Sequence, residues 1–184
     1  EEDGVRLRVF TCSMSDFFHR DADPWREDAW EVIRSCRSLD WLILTKRPEL
    51  VAERLPADWG DGYDNVWLGV TAGRQSSLPK VETLAQIPAA IRFVSAEPLL
   101  ESLNLGDHLD SLDWVITGCE QAKKGVRRPM ELDWVRDIDA QCAAHGVPHF
   151  FKQYYRDDKG VPCADGVLDG EVCQAWPRSP VAVC

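Results

Sequence analysis

A chain of 184 residues, 45% apolar and 28% charged, has the size and composition of one compact domain. Its apolar runs fall short of the roughly 18 residues a membrane-spanning helix needs, and Glu1-Glu2-Asp3-Gly4 lacks the order of a signal peptide, so a soluble cytoplasmic protein with no membrane partner is expected. Lys+Arg 21 against Asp+Glu 31 gives a net charge of -10, which disfavours a global grip on nucleic acid but leaves local basic patches open.

In chain order, Leu7 to Cys12 reads as a buried strand running into Ser13-Met14-Ser15-Asp16. Pro24 opens a helix in which Ala29, Trp30, Val32, Ile33 and Cys36 recur at helical spacing, with Asp23 as its cap. Trp41 to Thr45 is a second strand, stopped by Lys46-Arg47-Pro48, where a helix through Leu55 can begin. Asn65 to Val70 is a strand, Leu78 to Gln86 a helix, and Ile91 to Ser95 a strand ending at Ala96-Glu97-Pro98. Trp114 to Thr117, the helix Leu132 to Ala144 and the strand Val147 to Phe151 complete six strands.

The strands are almost continuously apolar, as in a parallel sheet covered on both faces, and they recur at the interval of a βα unit. The fold class is therefore α/β, with a partial or complete parallel (β/α) barrel as the first expectation and an open doubly wound sheet as the second. The barrel portion is 1–153. An irregular C-terminal tail, 154–184, follows and packs on it, with a short hairpin around Asp165-Gly166 and Asp169-Gly170. Trp30, Trp41, Trp67, Trp114 and Trp134 fall within elements as core residues, while Trp25, Trp59 and Trp176 are left as candidate exposed contacts.

In either parallel architecture the ligand lies beyond the carboxyl ends of the strands. The residues at those ends are Ser13, Ser15, Asp16 and His19; Thr45, Lys46 and Arg47; Thr71 and Arg74; Ser95 and Glu97; Glu120, Lys123, Lys124, Arg127 and Arg128; and Lys152 and Gln153. This set has a basic excess on an acidic protein, which points to an anionic ligand. Glu97, between a strand and Pro98, is the leading acid-base candidate, and Glu120 is the parallel case after the next strand. The competing reading for Glu97 is a carboxylate that satisfies backbone amides; for Lys46, Lys123 and Lys124 it is solvated loop charge.

Metal chemistry has little support from spacing, since HExxH, CxxC and a histidine pair at ligand distance are all missing. The seven cysteines read as free thiols in a reducing compartment, and His145 and His149 as a helix end and a strand residue with no catalytic part. P-loop, GxGxxG and GxSxG patterns do not occur.

The segments Val9-Phe10-Thr11-Cys12-Ser13-Met14-Ser15-Asp16-Phe17-Phe18-His19, Leu44-Thr45-Lys46-Arg47-Pro48, Asn65 to Val70 and Phe93 to Leu100 together resemble an uncharacterised phage and prophage protein family. Trp114 to Gly118, Arg128-Pro129-Met130, Phe150 to Gln153, Leu168-Asp169-Gly170 and Trp176-Pro177 extend the resemblance over residues 9 to 177. Members of that family look like radical S-adenosylmethionine enzymes, which implies a partial barrel, S-adenosylmethionine and a [4Fe-4S] cluster held by three thiolates. None of the seven cysteines here reproduces the cluster spacing, so no metal ligand is assigned; a longer chain, or a second polypeptide carrying the cluster segment, would have to supply it.

The resemblance implies an enzyme barrel, and the basic loops at its mouth, with the phage association, point to an anionic substrate, a nucleotide or nucleic acid. Glu97, Glu120 and Lys152 are its catalytic candidates, Ser13, Ser15, Asp16, Thr45 and Ser95 would hold the cofactor, and Lys46, Arg47, Arg74 and Arg128 the substrate. The rival is a cluster-free phage accessory module that binds a nucleotide or a protein partner with the same mouth. A third reading, a phosphate-binding barrel enzyme with Glu97 as base, places phosphate near Lys46 or Gly125.

Overall fold

In the computed structural model, which describes residues 6–122, 125–155 and 161–178, six strands form one parallel sheet. They are β1 (Leu7–Thr11), β2 (Leu39–Thr45), β3 (Val66–Thr71), β4 (Ile91–Ala96), β5 (Trp114–Gly118) and β6 (His149–Gln153). Each pairs with its successor, so spatial order is chain order. A doubly wound sheet needs a reversal of that order, and the described strands have none. The sheet curls into a half-barrel, open because β1 and β6 share no ladder among the described residues.

Three helices, α1 (Asp23–Ser35), α2 (Pro79–Ala85) and α3 (Leu132–His145), accompany the sheet. Prolines open α1 and α2, where the missing N–H costs nothing, and Gly146 ends α3 in the left-handed region at φ 68°. Ala22, not Asp23, precedes α1; Asp23 lies in its first turn and pairs with Arg26 and Arg54. The helix expected from Pro48 to Leu55 is instead two short 3-10 turns, 48–50 and 52–54.

Strand alternation divides the interior in two. Ile43, Leu68, Val70, Val94 and Val115 pack with Trp30 and Ile33 of α1, Val81 and Leu84 of α2, and Val135 and Ile138 of α3. The alternate residues Leu42, Trp67, Ile91, Phe93, Trp114 and Ile116 form a second cluster on the other face of the sheet. Gly69 belongs to that face, where a Cβ would come within 2.3 Å of the Phe93 ring.

The expectation of a buried first strand fails. Leu7 is 71% and Phe10 47% exposed, because β1 is the sheet edge with one neighbour. The opposite edge is covered: Phe151 N donates to Cys173 O at 2.7 Å and Ala175 N to His149 O at 2.9 Å. The hairpin appears as β7 (Val167–Leu168) and β8 (Glu171–Val172), turning through Asp169 and Gly170 at positive φ. Beyond it, Trp176 stacks on Trp114 at 4.6 Å, meets Phe150 edge-on at 5.0 Å and lies under the Arg8 guanidinium at 4.0 Å.

Of the three tryptophans left as exposed contacts, Trp25 and Trp176 are exposed, Trp176 with one side against the aromatic group, whereas Trp59 is buried, its indole donating to Pro88 O. Lys123, Lys124, residues 156–160 and Cys184 lie outside the described residues. Among the described residues no helix is long and apolar enough to cross a membrane.

Candidate functional site at the carboxyl ends of the strands

The strand ends open on a cavity of about 1190 Å³. Ser13, Ser15, Asp16 and His19 line it after β1, Thr45, Lys46 and Arg47 at the end of β2, and Thr71 at the end of β3. Ser95 and Glu97 enter from β4, Glu120 from the β5 loop, and Lys152 and Gln153 from β6. Arg74 and Arg128 are outside this lining: Arg74 precedes the turn at 75–77, and Arg128 reaches the mouth only through Glu120.

Asp16 organises one side. Its carboxylate accepts from Phe18 N at 3.0 Å, Thr45 Oγ1 at 2.8 Å, Lys46 N at 3.0 Å and Arg47 Nη1 at 3.1 Å. Burial works to raise its pKa, but the Lys46 amide, the Thr45 hydroxyl, the Phe18 amide and the Arg47 charge together hold it below the usual aspartate value. Thr45 Oγ1 also accepts from Arg47 N at 3.0 Å, so one buried hydroxyl and one carboxylate set the direction of the chain between β2 and Pro48.

Glu97 anchors the other side. Lys152 Nζ donates to its Oε2 at 3.1 Å. Gly118 makes the room: a Cβ there would lie 2.4 Å from Glu97 Oε1. Burial pushes the Glu97 carboxyl above its ordinary range, and the Lys152 charge and hydrogen bond oppose that push without cancelling it. Glu120 goes the other way. Its carboxylate accepts from the Arg128 amide and guanidinium, which bring its pKa to about 2.

Among the described residues the lining carries both signs of charge: Asp16, Asp21, Glu97 and Glu120 stand with Arg26, Lys46, Arg47 and Lys152, while Arg74 and Arg128 of the expected basic set fall outside it. The Asp21–Arg26 stretch brings charge to the mouth that strand-end reading does not register, and Asp16 and Arg47, which that reading does include, pair with each other. Phe10, Met14 and Trp25 add apolar wall. In the sequence Gly118 is only the end of the Trp114 to Gly118 segment; its use as the space for a carboxylate depends on β4 and β5 being adjacent in register.

Cys12 and Cys119 are the thiols of the lining. Cys119 is buried, and burial pushes its thiol up. Two thiols do not provide the three a [4Fe-4S] cluster requires, so the described residues do not fit that group.

A second polar group lies apart from the mouth, where β6 begins. Asp139 of α3, His149 of β6 and Cys173 of the tail come together. Local spacing could not reveal it, because its members come from three elements that meet only when the tail folds onto the β6 edge.

Fold and mouth together define an α/β half-barrel protein whose cavity at the carboxyl ends of its strands is lined by charges of both signs. The chain belongs to DUF5131, a family described as proteins of unknown function, which matches residues 3–177. No curated protein and no solved structure matches the chain.

Proposed function

We propose that the mouth binds S-adenosylmethionine or a closely related charged nucleoside and, as the barrel of a radical S-adenosylmethionine-like enzyme, presents it to an anionic substrate of the nucleotide class. The observation that carries this reading is the close placement of both signs of charge, among the described residues, in one cavity at the strand ends. A ligand with a carboxylate, an ammonium and a sulfonium needs both signs of charge close together, and unmatched cations would favour a simple polyanion instead.

In this reading Ser13, Ser15, Asp16, Thr45 and Ser95 hold the cofactor side. Asp16 and Thr45 act by fixing the β2 end, since their hydrogen bonds are already committed to it. Glu97 and Lys152 face the reacting end, where the raised carboxyl pKa suits Glu97 to hold a proton beside the Lys152 ammonium. Lys46, exposed in the mouth, supplies charge to the substrate; Arg47 and Arg128 are engaged by Asp16 and Glu120. Cleavage of S-adenosylmethionine would need a reduced cluster carried by another segment or a second polypeptide.

Equilibrium dialysis of the purified chain against labelled S-adenosylmethionine tests the reading. Saturable binding that is lost in Glu97→Gln or Asp16→Asn is expected; no binding overturns it. A second reading, the cluster-free accessory module of a phage, is favoured by Cys12 and Cys119 being the only thiols in the lining among the described residues. Anaerobic reconstitution with a cluster-bearing segment or partner polypeptide separates the two: release of 5′-deoxyadenosine supports the enzyme, and binding without cleavage supports the module.

A further inference from the structure

Three donor atoms of different chemistry converge beside the tail. His149 Nδ1 lies 2.9 Å from Asp139 Oδ1, and Cys173 Sγ lies 3.2 Å from each of them. His149 is buried on the sheet, and its other ring nitrogen, Nε2, sits 2.9 Å from the hydroxyl of Thr117 on the neighbouring strand. Both sides of the imidazole are therefore fixed. The group borders a cavity of about 740 Å³ that Cys142 also lines.

We propose that Asp139, His149 and Cys173 form a site for a divalent transition ion of the zinc type, with its fourth position open to the cavity. A carboxylate, an imidazole and a thiolate are a donor set that zinc accepts in tetrahedral geometry. Bonds of about 2.0–2.3 Å at that geometry separate the donors by about 3.3–3.6 Å. The three atoms need to spread by only about half an ångström or less to admit an ion. On binding, Cys173 releases its thiol proton to solvent, Asp139 contributes an oxygen, and His149 binds through Nδ1 while its Nε2–H donates to Thr117 Oγ1. That last contact is the outer support a metal-bound histidine commonly has.

The alternative is a polar pin in which the three side chains satisfy one another. The two differ in what a metal would do. The donors belong to α3, β6 and the tail, so an ion would tie the tail to the barrel edge and stabilise the folded chain in proportion to its concentration.

The test uses the whole chain, stripped of metal with a chelator and titrated with Co²⁺ in place of Zn²⁺. One ion per chain is expected, with a thiolate-to-cobalt charge-transfer band, visible bands of a four-coordinate site, and displacement by Zn²⁺. Cys173→Ala and His149→Gln should lose the band, and Thr117→Val should weaken binding about tenfold. A variant with Cys12, Cys36, Cys163 and Cys184 all changed to Ser should retain it, which excludes capture by those four thiols. Zn²⁺ should raise the melting temperature of the wild type and leave that of Cys173→Ala unchanged. Absence of the band in the wild type, or its persistence in a folded Cys173→Ala protein, overturns the proposal. Should the variants fail to fold, X-ray absorption of the Zn²⁺-loaded wild type still decides: one sulfur with nitrogen and oxygen neighbours supports the site, and a shell with no sulfur or several overturns it.

Discussion

Lys152 on β6 donates to Glu97 just beyond β4 at 3.1 Å, across the end of the intervening β5, where Gly118 has no side chain to obstruct the contact. Burial of Glu97 and the half-exposure of Lys152 make the pair asymmetric: the carboxylate depends on the lysine more than the reverse.

Lys152→Met should therefore raise the Glu97 pKa further, which a carbon-detected carboxyl titration would read directly. The sign for stability follows from the raised value. The folded state holds the Glu97 proton more readily than the unfolded chain, so the contribution is fully present below the unfolded pKa and is lost as pH rises through the folded one. Lys152→Met should cost about 1 kcal/mol at neutral pH, discounted for the exposure of the lysine. The difference from wild type should vanish in acid, where Glu97 is protonated in both. Urea unfolding across that pH range measures it, and a difference independent of pH would contradict the assignment.

Asp16 predicts the opposite pH dependence. Its lowered pKa gives stability that is present above the unfolded value and lost as pH falls through the folded one. Asp16→Asn keeps the shape but removes the charge that meets Arg47 and the Lys46 amide. A loss of about 2 kcal/mol is expected at neutral pH, shrinking in acid as the wild type itself is protonated. Unfolding titrations of the two proteins at neutral and acid pH test this.

How far the chain could be read beforehand varies with the range of the interaction. The six strands and their common direction were legible, because near-continuous apolar runs such as Trp41 to Thr45 and Ile91 to Ser95 are separated by helical or turn segments. That Leu7 and Phe10 stand exposed was not, because an edge strand and a central one have the same local sequence. Ser95, Glu97, Lys46 and Lys152 share one cavity, as strand-end reasoning expects, whereas Arg74 lies beyond it. The pairing of Arg47 with Asp16 and of Arg128 with Glu120 depends on side-chain geometry that periodicity does not carry. The meeting of His149 with Asp139 and Cys173 is similarly invisible to spacing, since it forms only when the tail returns to β6.

Gly118→Ala isolates the mouth from the core. The added methyl would fall 2.4 Å from Glu97 Oε1, the far end of a flexible side chain, while Gly118 itself is not at positive φ. The protein should fold with a loss of about 1 kcal/mol, and Glu97 should move out of its present place and lose its contact with Lys152. Gly69→Ala gives the contrast: the Phe93 ring is packed in the core and has no room to yield, so a loss of about 2–3 kcal/mol is expected. Thermal denaturation ranks the two, and ligand dialysis should show the larger binding defect in the milder variant.

Trp176 closes the aromatic group that lines the face of the sheet carrying Trp67 and Trp114. Its ring lies between the Arg8 guanidinium of the open edge strand and the Trp114 indole of β5, with Phe150 of β6 at its side. Side chains from both edge strands of an open half-barrel therefore meet on one residue of the tail. Trp176→Ala removes a half-exposed aromatic with its stacking and cation contacts, for a loss of about 2 kcal/mol. Amide exchange should then rise in both β1 and β6, although the two strands never pair with each other among the described residues. Trp176→Phe, which keeps the stacked surface, should recover most of the protection. Exchange confined to β6 would mean that Trp176 only anchors the tail; exchange rising at both edges would identify it as the bridge across the open side of the sheet.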